Sequence, residues 1–224
     1  MTQSFNPVEI KALVFDVGGV LALDAPRYFL SELAVRESLD VEDLVRMWKK
    51  NLGQLITGKI SEDQFWLLFI DDLNLKIPQD ELLVRFKKEI RLFLLLDKGL
   101  LGYLRSLKDE LNAHCMEPVK FAILSNNVKE WAKELERQAD LGELFEVIMY
   151  SCDEGLAKPD PSLFQKVCIK LDAGPSHIMF IDNREKNLRQ AKEIGMHPIL
   201  FSTPDEFKAA MTVAHISKPV QKEV

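Results

Sequence analysis

Lys11-Ala12-Leu13-Val14-Phe15-Asp16-Val17-Gly18-Gly19-Val20-Leu21 is the stretch from which the rest of the chain is read. Its first half is a short apolar run without helical period, bounded by turn residues. That pattern predicts a strand of a parallel sheet, buried on both faces. The run stops on a carboxylate, Asp16, followed by the pair Gly18-Gly19. In open α/β sheets, ligand sites lie just beyond the carboxyl ends of the strands. Glycines there let the backbone turn sharply and let a ligand approach closely. Asp16 alone would be read as a turn cap. Its meaning depends on what the other strands end in.

Composition bounds the reading. The 224 residues suffice for one large domain, or for a core domain with an insertion. Hydrophobic residues make up 47% and charged residues 29%, which fits a soluble globular protein. A net charge of -6 argues against general affinity for nucleic acid or for an acidic membrane, though not against a locally positive pocket. Cys115, Cys152 and Cys168 are odd in number and irregularly spaced, so they indicate neither a disulfide framework nor a zinc site. Reduced thiols and a cytoplasmic location are the expectation. Residues 1–9 lack the basic-then-apolar order of a signal peptide, and no apolar run is long enough to span a bilayer. The polar stretch 217–224 is expected to be a disordered tail. Oligomeric state stays open at this level.

Taken in order, strands are predicted at 10–16, 119–125, 145–150, 178–182 and 198–201. Between the first two lies a helical block. Val41, Leu44, Val45, Trp48, Leu52, Leu55 and Ile56 recur at helical spacing, with Gly58 as terminator. Ser61-Glu62-Asp63-Gln64 is a capping box opening a helix that carries Phe65, Trp66, Phe69, Ile70 and Leu73. Another helix begins after Pro78. Residues 24–96 therefore read as an all-helical insertion with its own small core, and residues 1–23 plus 97–216 as the main α/β domain. Further helices are expected at 100–111, after a second capping box at Asn127–Glu130, after Asp160-Pro161, at 188–194, and after Thr203. Strands alternating with helices imply a parallel sheet covered on both faces.

The strand ends carry matching chemistry. The first ends in Asp16, the second in Ser125-Asn126-Asn127, and the fourth in Asp182-Asn183; the third is followed by Gly155-Leu156-Ala157-Lys158-Pro159. Phosphoryl transfer through an aspartyl phosphate needs this set. A carboxylate such as Asp16 can act as the nucleophile toward phosphorus. Asp16 and Asp182, with a backbone carbonyl near Gly18, suit Mg2+, a hard cation that binds one or two carboxylates plus phosphate. Ser125 and the amide at Asn126 donate to phosphate oxygens, and Lys158 supplies positive charge.

Phe15-Asp16-Val17-Gly18-Gly19-Val20, Ile123-Leu124-Ser125-Asn126-Asn127, Gly155-Leu156-Ala157-Lys158-Pro159-Asp160-Pro161 and the run from Phe180 to Met196 stand in the order of four motifs of one family. In these the chain resembles the haloacid dehalogenase-like hydrolases. The resemblance implies a Rossmann-like core in which the Asp16 strand is central, flanked by those of Ser125 and Asp182, with a helical cap inserted after the first strand. The stretch Leu55–Trp66 is similar to caps of sugar phosphatases and of phosphatases fused to epoxide hydrolases.

Two positions depart from the family's pattern. Its phosphatases usually carry a second aspartate, the acid/base, where this chain has Gly18; glycine there is also found in glucose-1-phosphatase-like relatives. Asn183 stands where an aspartate is common, which keeps an oxygen donor and removes one charge. Asp24, Asp97, Asp153 and Glu154 are the nearest carboxylates in sequence, each read first as a solvated loop acid. Trp48, Phe65, Trp66 and Phe69 read as packing within the helices, the histidines show no ligand spacing, and Cys152 reads as a small buried hydrophobe. The leading expectation is a magnesium-dependent phosphatase of a small phosphorylated metabolite. The alternatives are a catalytically impaired relative that binds a phosphorylated ligand or a protein, and a haloacid dehalogenase using the same Asp16.

Overall fold

The computed structural model describes residues 10–114 and 117–213. Cys115, His215 and the 217–224 tail lie outside them. Five strands form one parallel sheet: β1 (Ala12–Phe15), β2 (Lys120–Ser125), β3 (Val147–Tyr150), β4 (Ile178–Asp182) and β5 (His197–Leu200), in the order β3-β2-β1-β4-β5. β1 is central, between β2 and β4, as the motifs imply. Its residues are fully buried and alternate between two apolar layers. Leu13 and Phe15 face one cluster with Phe121 and Ile123, while Ala12 and Val14 face the other with Phe164, Val167 and Phe180. A strand buried on both faces has no polar side, which is why its sequence lacks alternation.

Helices α1 (Ala25–Glu37), α2 (Val41–Ile56), α3 (Glu62–Leu73) and α4 (Gln79–Arg91) lie between β1 and α5 (Lys98–His114). The α3 capping box forms as read: Gln64 N donates to Ser61 Oγ at 3.2 Å, and Ser61 N donates to Gln64 Oε1 at 2.9 Å. α2 is capped by Asp40, which accepts from the amides of Glu42 and Asp43. The aromatic rings form one edge-to-face cluster: Trp48 lies 4.8 Å from Phe65 and 5.5 Å from Trp66, and Phe29 and Phe86 pack against Trp66. Instead of a separate small core, this cluster runs without a break into the Phe15–Phe121 face of the sheet.

The remaining elements are α6 (Lys129–Glu136), α7 (Ser151–Glu154), α8 (Pro161–Leu171), α9 (Glu185–Glu193) and α10 (Pro204–Val213). Asp160 caps α8 and Thr203 caps α10. The second capping box does not form. The N-cap of α6 is Val128 rather than Asn127, and it makes no side-chain cap bond. Asn127 is buried and used otherwise: its Oδ1 accepts from Val128 N, and its own amide donates to Ser151 Oγ at 3.0 Å. α7 was not foreseen, and it turns Asp153 and Glu154 from loop acids into helical ones.

Where the chain leaves the sheet for the helices and where it returns, the two segments pair. Leu23 N donates to Leu95 O at 3.0 Å, and Asp97 N donates to Leu21 O at 2.8 Å. Gln138, beyond the end of α6, binds the returning segment twice, donating to Leu94 O and accepting from Leu96 N. A third tie joins α2 to α7: Ser151 Oγ donates to Ile56 O. Beside it Gly58 adopts φ +67°, and a Cβ there would stand 2.6 Å from the main-chain oxygen of Cys152. Backbone oxygen cannot move aside as a side-chain tip does. Gly58→Ala is therefore expected to lower stability by about 1–3 kcal/mol, read as a reduced urea midpoint at unchanged m-value.

Candidate active site

The register of the sheet assembles the site. Phe15 stands opposite Ile123 on one side and Ile181 on the other, so the next residues, Asp16 and Asp182, leave adjacent strands side by side. Asp16 N donates to Ile181 O at 2.9 Å, which fixes the level of the carboxylate. Ser125 closes β2 and is buried. Lys158 comes from the loop before α8 and lies over the Phe180 ring, 5.3 Å from its centroid.

Three charges meet there. Lys158 Nζ lies 2.9 Å from Asp16 Oδ1 and 2.7 Å from Asp182 Oδ2. Exposure is 6% for Asp16, 3% for Lys158 and 0% for Asp182, so none is screened by bulk water. Every group has a second tether. Asp16 Oδ1 accepts from Val17 N at 2.7 Å. Asp182 accepts from Arg184 N at 2.8 Å and from Asn187 Nδ2 at 2.9 Å. The main chain of Lys158 is clamped by the Asn126 carboxamide, which donates to Lys158 O at 2.9 Å and accepts from Lys158 N at 2.8 Å. Burial, joined by the like charge of Asp16, pushes the Asp182 carboxyl above the usual aspartate range against the pull of Lys158.

These groups open onto a cavity of about 80 Å³. Its polar end is made by Asp16, Ser125, Asn126, Lys158 and Asn187. Ala25, Pro26, Leu94, Trp131 and Leu135 supply an apolar side. The predicted residues Asp16, Gly18, Ser125, Asn126 and Lys158 all border this cavity, and Asp182 stands behind Lys158. A Cβ built on Gly18 meets nothing within 4 Å. The position where a family acid would stand is therefore open space.

Of the four neighbouring carboxylates, Asp24 alone borders the cavity, with its Oδ2 3.6 Å from an Arg184 nitrogen. Asp97 instead caps α5, accepting from Leu100 N at 2.8 Å. Glu154 pairs with Lys166 and Lys170, which hold its carboxyl below the usual glutamate range. Asp153 is exposed on α7. Cys152 is half-buried, and burial together with Asp153 pushes its thiol up to about 11, so Lys158 does not activate it. Asn187 and Arg184 are the site residues that sequence reasoning left without a role. The signal was their spacing, two and five residues beyond Asp182, at the start of the following helix.

The donor set fits a hard cation that keeps much of its water. Asp16 and Asp182 offer carboxylate oxygens, and the Oδ1 atoms of Asn183 and Asn187 are buried without a hydrogen-bond partner. Among the described residues no group of three or more His, Cys, Asp or Glu side chains forms a metal cage. Two carboxylates are nonetheless what magnesium commonly takes from a protein.

The chain has relatives among known proteins. The chain is 25% identical over 217 residues to bifunctional epoxide hydrolase 2 of Sus scrofa, matching 88% of this chain and 37% of that protein. It thus spans little more than a third of the epoxide hydrolase. It is 25% identical over 195 residues to the phosphorylated carbohydrates phosphatase of Thermotoga maritima, with 85% and 84% of the two chains covered. Among solved structures, a HAD family enzyme of Bacteroides thetaiotaomicron, in complex with magnesium and inorganic phosphate, superimposes with a TM-score of 0.65 at 20% identity, covering 86% of this chain and 94% of the other. Residues 10–195 match the family of haloacid dehalogenase-like hydrolases, and the chain belongs to that family.

Proposed function

We propose that this hydrolase is a magnesium-dependent phosphatase acting on a small phosphorylated metabolite, such as a sugar phosphate, through an aspartyl phosphate on Asp16. The observation that carries the reading is the buried Asp16–Lys158–Asp182 cluster at the strand ends, beside Ser125. The similarity to a phosphorylated carbohydrates phosphatase over most of both chains supports it.

In this reading the substrate's phosphoryl group enters the polar end of the cavity. Ser125, the main-chain amide of Asn126 and Lys158 hold its oxygens, and an Asp16 carboxylate oxygen attacks phosphorus as the bond to the leaving oxygen breaks. Water then attacks the aspartyl phosphate, releasing inorganic phosphate and restoring Asp16. With both carboxylates ionised, the cluster carries one net negative charge, which opposes the approach of an anion. Magnesium held by Asp16, Asp182 and the Gly18 carbonyl would reverse that sign and polarise the phosphoryl oxygens. Residues 24–96 serve as the cap that selects the leaving group and excludes water.

A second reading has its own observation. Gly18 offers no acid/base, and the neighbouring Asp24 is drawn toward Arg184. The protein would then hold a phosphorylated ligand, or a protein partner, and turn it over slowly.

Three outcomes test these readings. On a panel of phosphate esters with magnesium, turnover by the wild type should exceed that of Asp16→Asn by at least about a thousandfold; equal rates on every ester overturn the phosphatase. Gly18→Asp introduces a carboxylate into open space, and it should raise turnover by roughly 10²–10⁴-fold; wild-type turnover above that of the variant would overturn the inactive-binder reading. Magnesium at about a hundred times its Kd should stabilise the wild type by about 2.7 kcal/mol, measured by thermal unfolding with and without chelator, and that gain should vanish in Asp182→Ala.

A further inference from the structure

The stretch Leu55–Trp66 contains a buried carboxylate that the proposed chemistry does not use. Glu62 is 3% exposed at the first turn of α3. Its Oε1 accepts from three donors: Trp131 Nε1 at 2.8 Å, Arg91 at 3.0 Å and Trp66 Nε1 at 3.2 Å. Its Oε2 accepts from Arg91 at 2.8 Å. Burial alone would raise this carboxyl, but the bonds from Arg91, Trp131 and Trp66 outweigh it and hold it below the usual glutamate range. A buried carboxylate with so many donors is a fixed point in the structure.

Three of these donors belong to the helical block, on α3 and α4. The fourth, Trp131, belongs to α6, the helix that follows Ser125-Asn126-Asn127, and it borders the catalytic cavity. Trp131 also stacks on Trp48 of α2, with centroids 6.1 Å apart and an interplanar angle of 23°. The indole is thus held in plane by α2 and pinned at its N–H by α3. Because that N–H is spent on Glu62, Trp131 turns only carbon toward the cavity, next to Leu94 and Leu135. A hydroxyl placed against this side would lose its water and gain no partner.

We propose that Glu62 is a positioning residue for the cavity: through the indole N–H of Trp131 it fixes an apolar wall that selects phosphate esters whose leaving group presents an apolar face. This rests on the phosphoryl site proposed above and adds to it the chemical class of the leaving group.

Calorimetric binding of two non-reacting probes in the presence of magnesium, inorganic phosphate and phenylphosphonate, tests this on the full chain. The wild type should prefer phenylphosphonate. Trp131→Phe keeps a ring but loses the donor, and Glu62→Gln weakens the anchor. Each should reduce that preference by roughly three- to tenfold with phosphate affinity unchanged, and the double variant should lose no more than the larger single effect. Equal loss of both probes, an unchanged preference, or effects that multiply in the double variant overturn the proposal. If Glu62→Gln fails to fold, Trp131→Phe decides, since it leaves Glu62 with Arg91 and Trp66: a reduced preference supports the proposal and an unchanged one overturns it. A wild type that binds neither probe overturns the phosphoryl site itself, and this proposal with it.

Discussion

The contact on which the candidate site is built is the Lys158 ammonium held between the carboxylates of Asp16 and Asp182. Each of these ions alone would be costly in the interior, and removing one partner from such a set leaves a buried charge uncompensated. The fold therefore spends several independent features on keeping them together. Parallel pairing of β1 with β4 sets the two aspartates level. Asn126 grips the Lys158 main chain on both its donor and its acceptor. Asn187 and the Arg184 amide complete the shell of Asp182. The result is a site whose dipoles are oriented before any substrate arrives, which is the condition for electrostatic catalysis in a dry pocket.

Much of this was legible from residue order because the strongest signals were local. An apolar run ending in Asp16-Val17-Gly18-Gly19 has few structural solutions, and similar endings at Ser125 and Asp182 left only the pairing order to be supplied by family resemblance. The Ser61–Gln64 box was equally readable, since its bonds join residues three apart. The same pattern misled at Asn127–Glu130, where the main-chain amide of buried Asn127 is taken by a nonlocal partner, Ser151 Oγ, its side chain turns to Val128 N, and the local cap is lost. Helix α1 was not resolved by periodicity because Ala25–Glu37 places polar and apolar residues around much of its circumference. Glu62 was hidden for a related reason. In sequence it is one acid among the first-turn acids of a capped helix, and only packing reveals that it is buried against Trp131.

Asn126 has a side-chain task that residue order did not show. Its carboxamide is occupied on both ends by the main chain of Lys158. Its side chain thereby governs where the cation sits. Ser125, one residue earlier, is buried at the strand end and borders the cavity.

The pairing of Leu21 and Leu23 with Leu95 and Asp97 has a consequence for how such a chain diversifies. Entry to and exit from the helical block are held about one strand spacing apart, whatever lies between them. Closing a longer connection costs only about 0.6 kcal/mol for each doubling of its length. Length changes between residues 25 and 91 therefore cost little in chain closure, and the packing shared with the Phe15–Phe121 face of the sheet, rather than the connection, limits them. An insertion that spares that shared packing leaves the register that sets Asp16 beside Asp182 untouched.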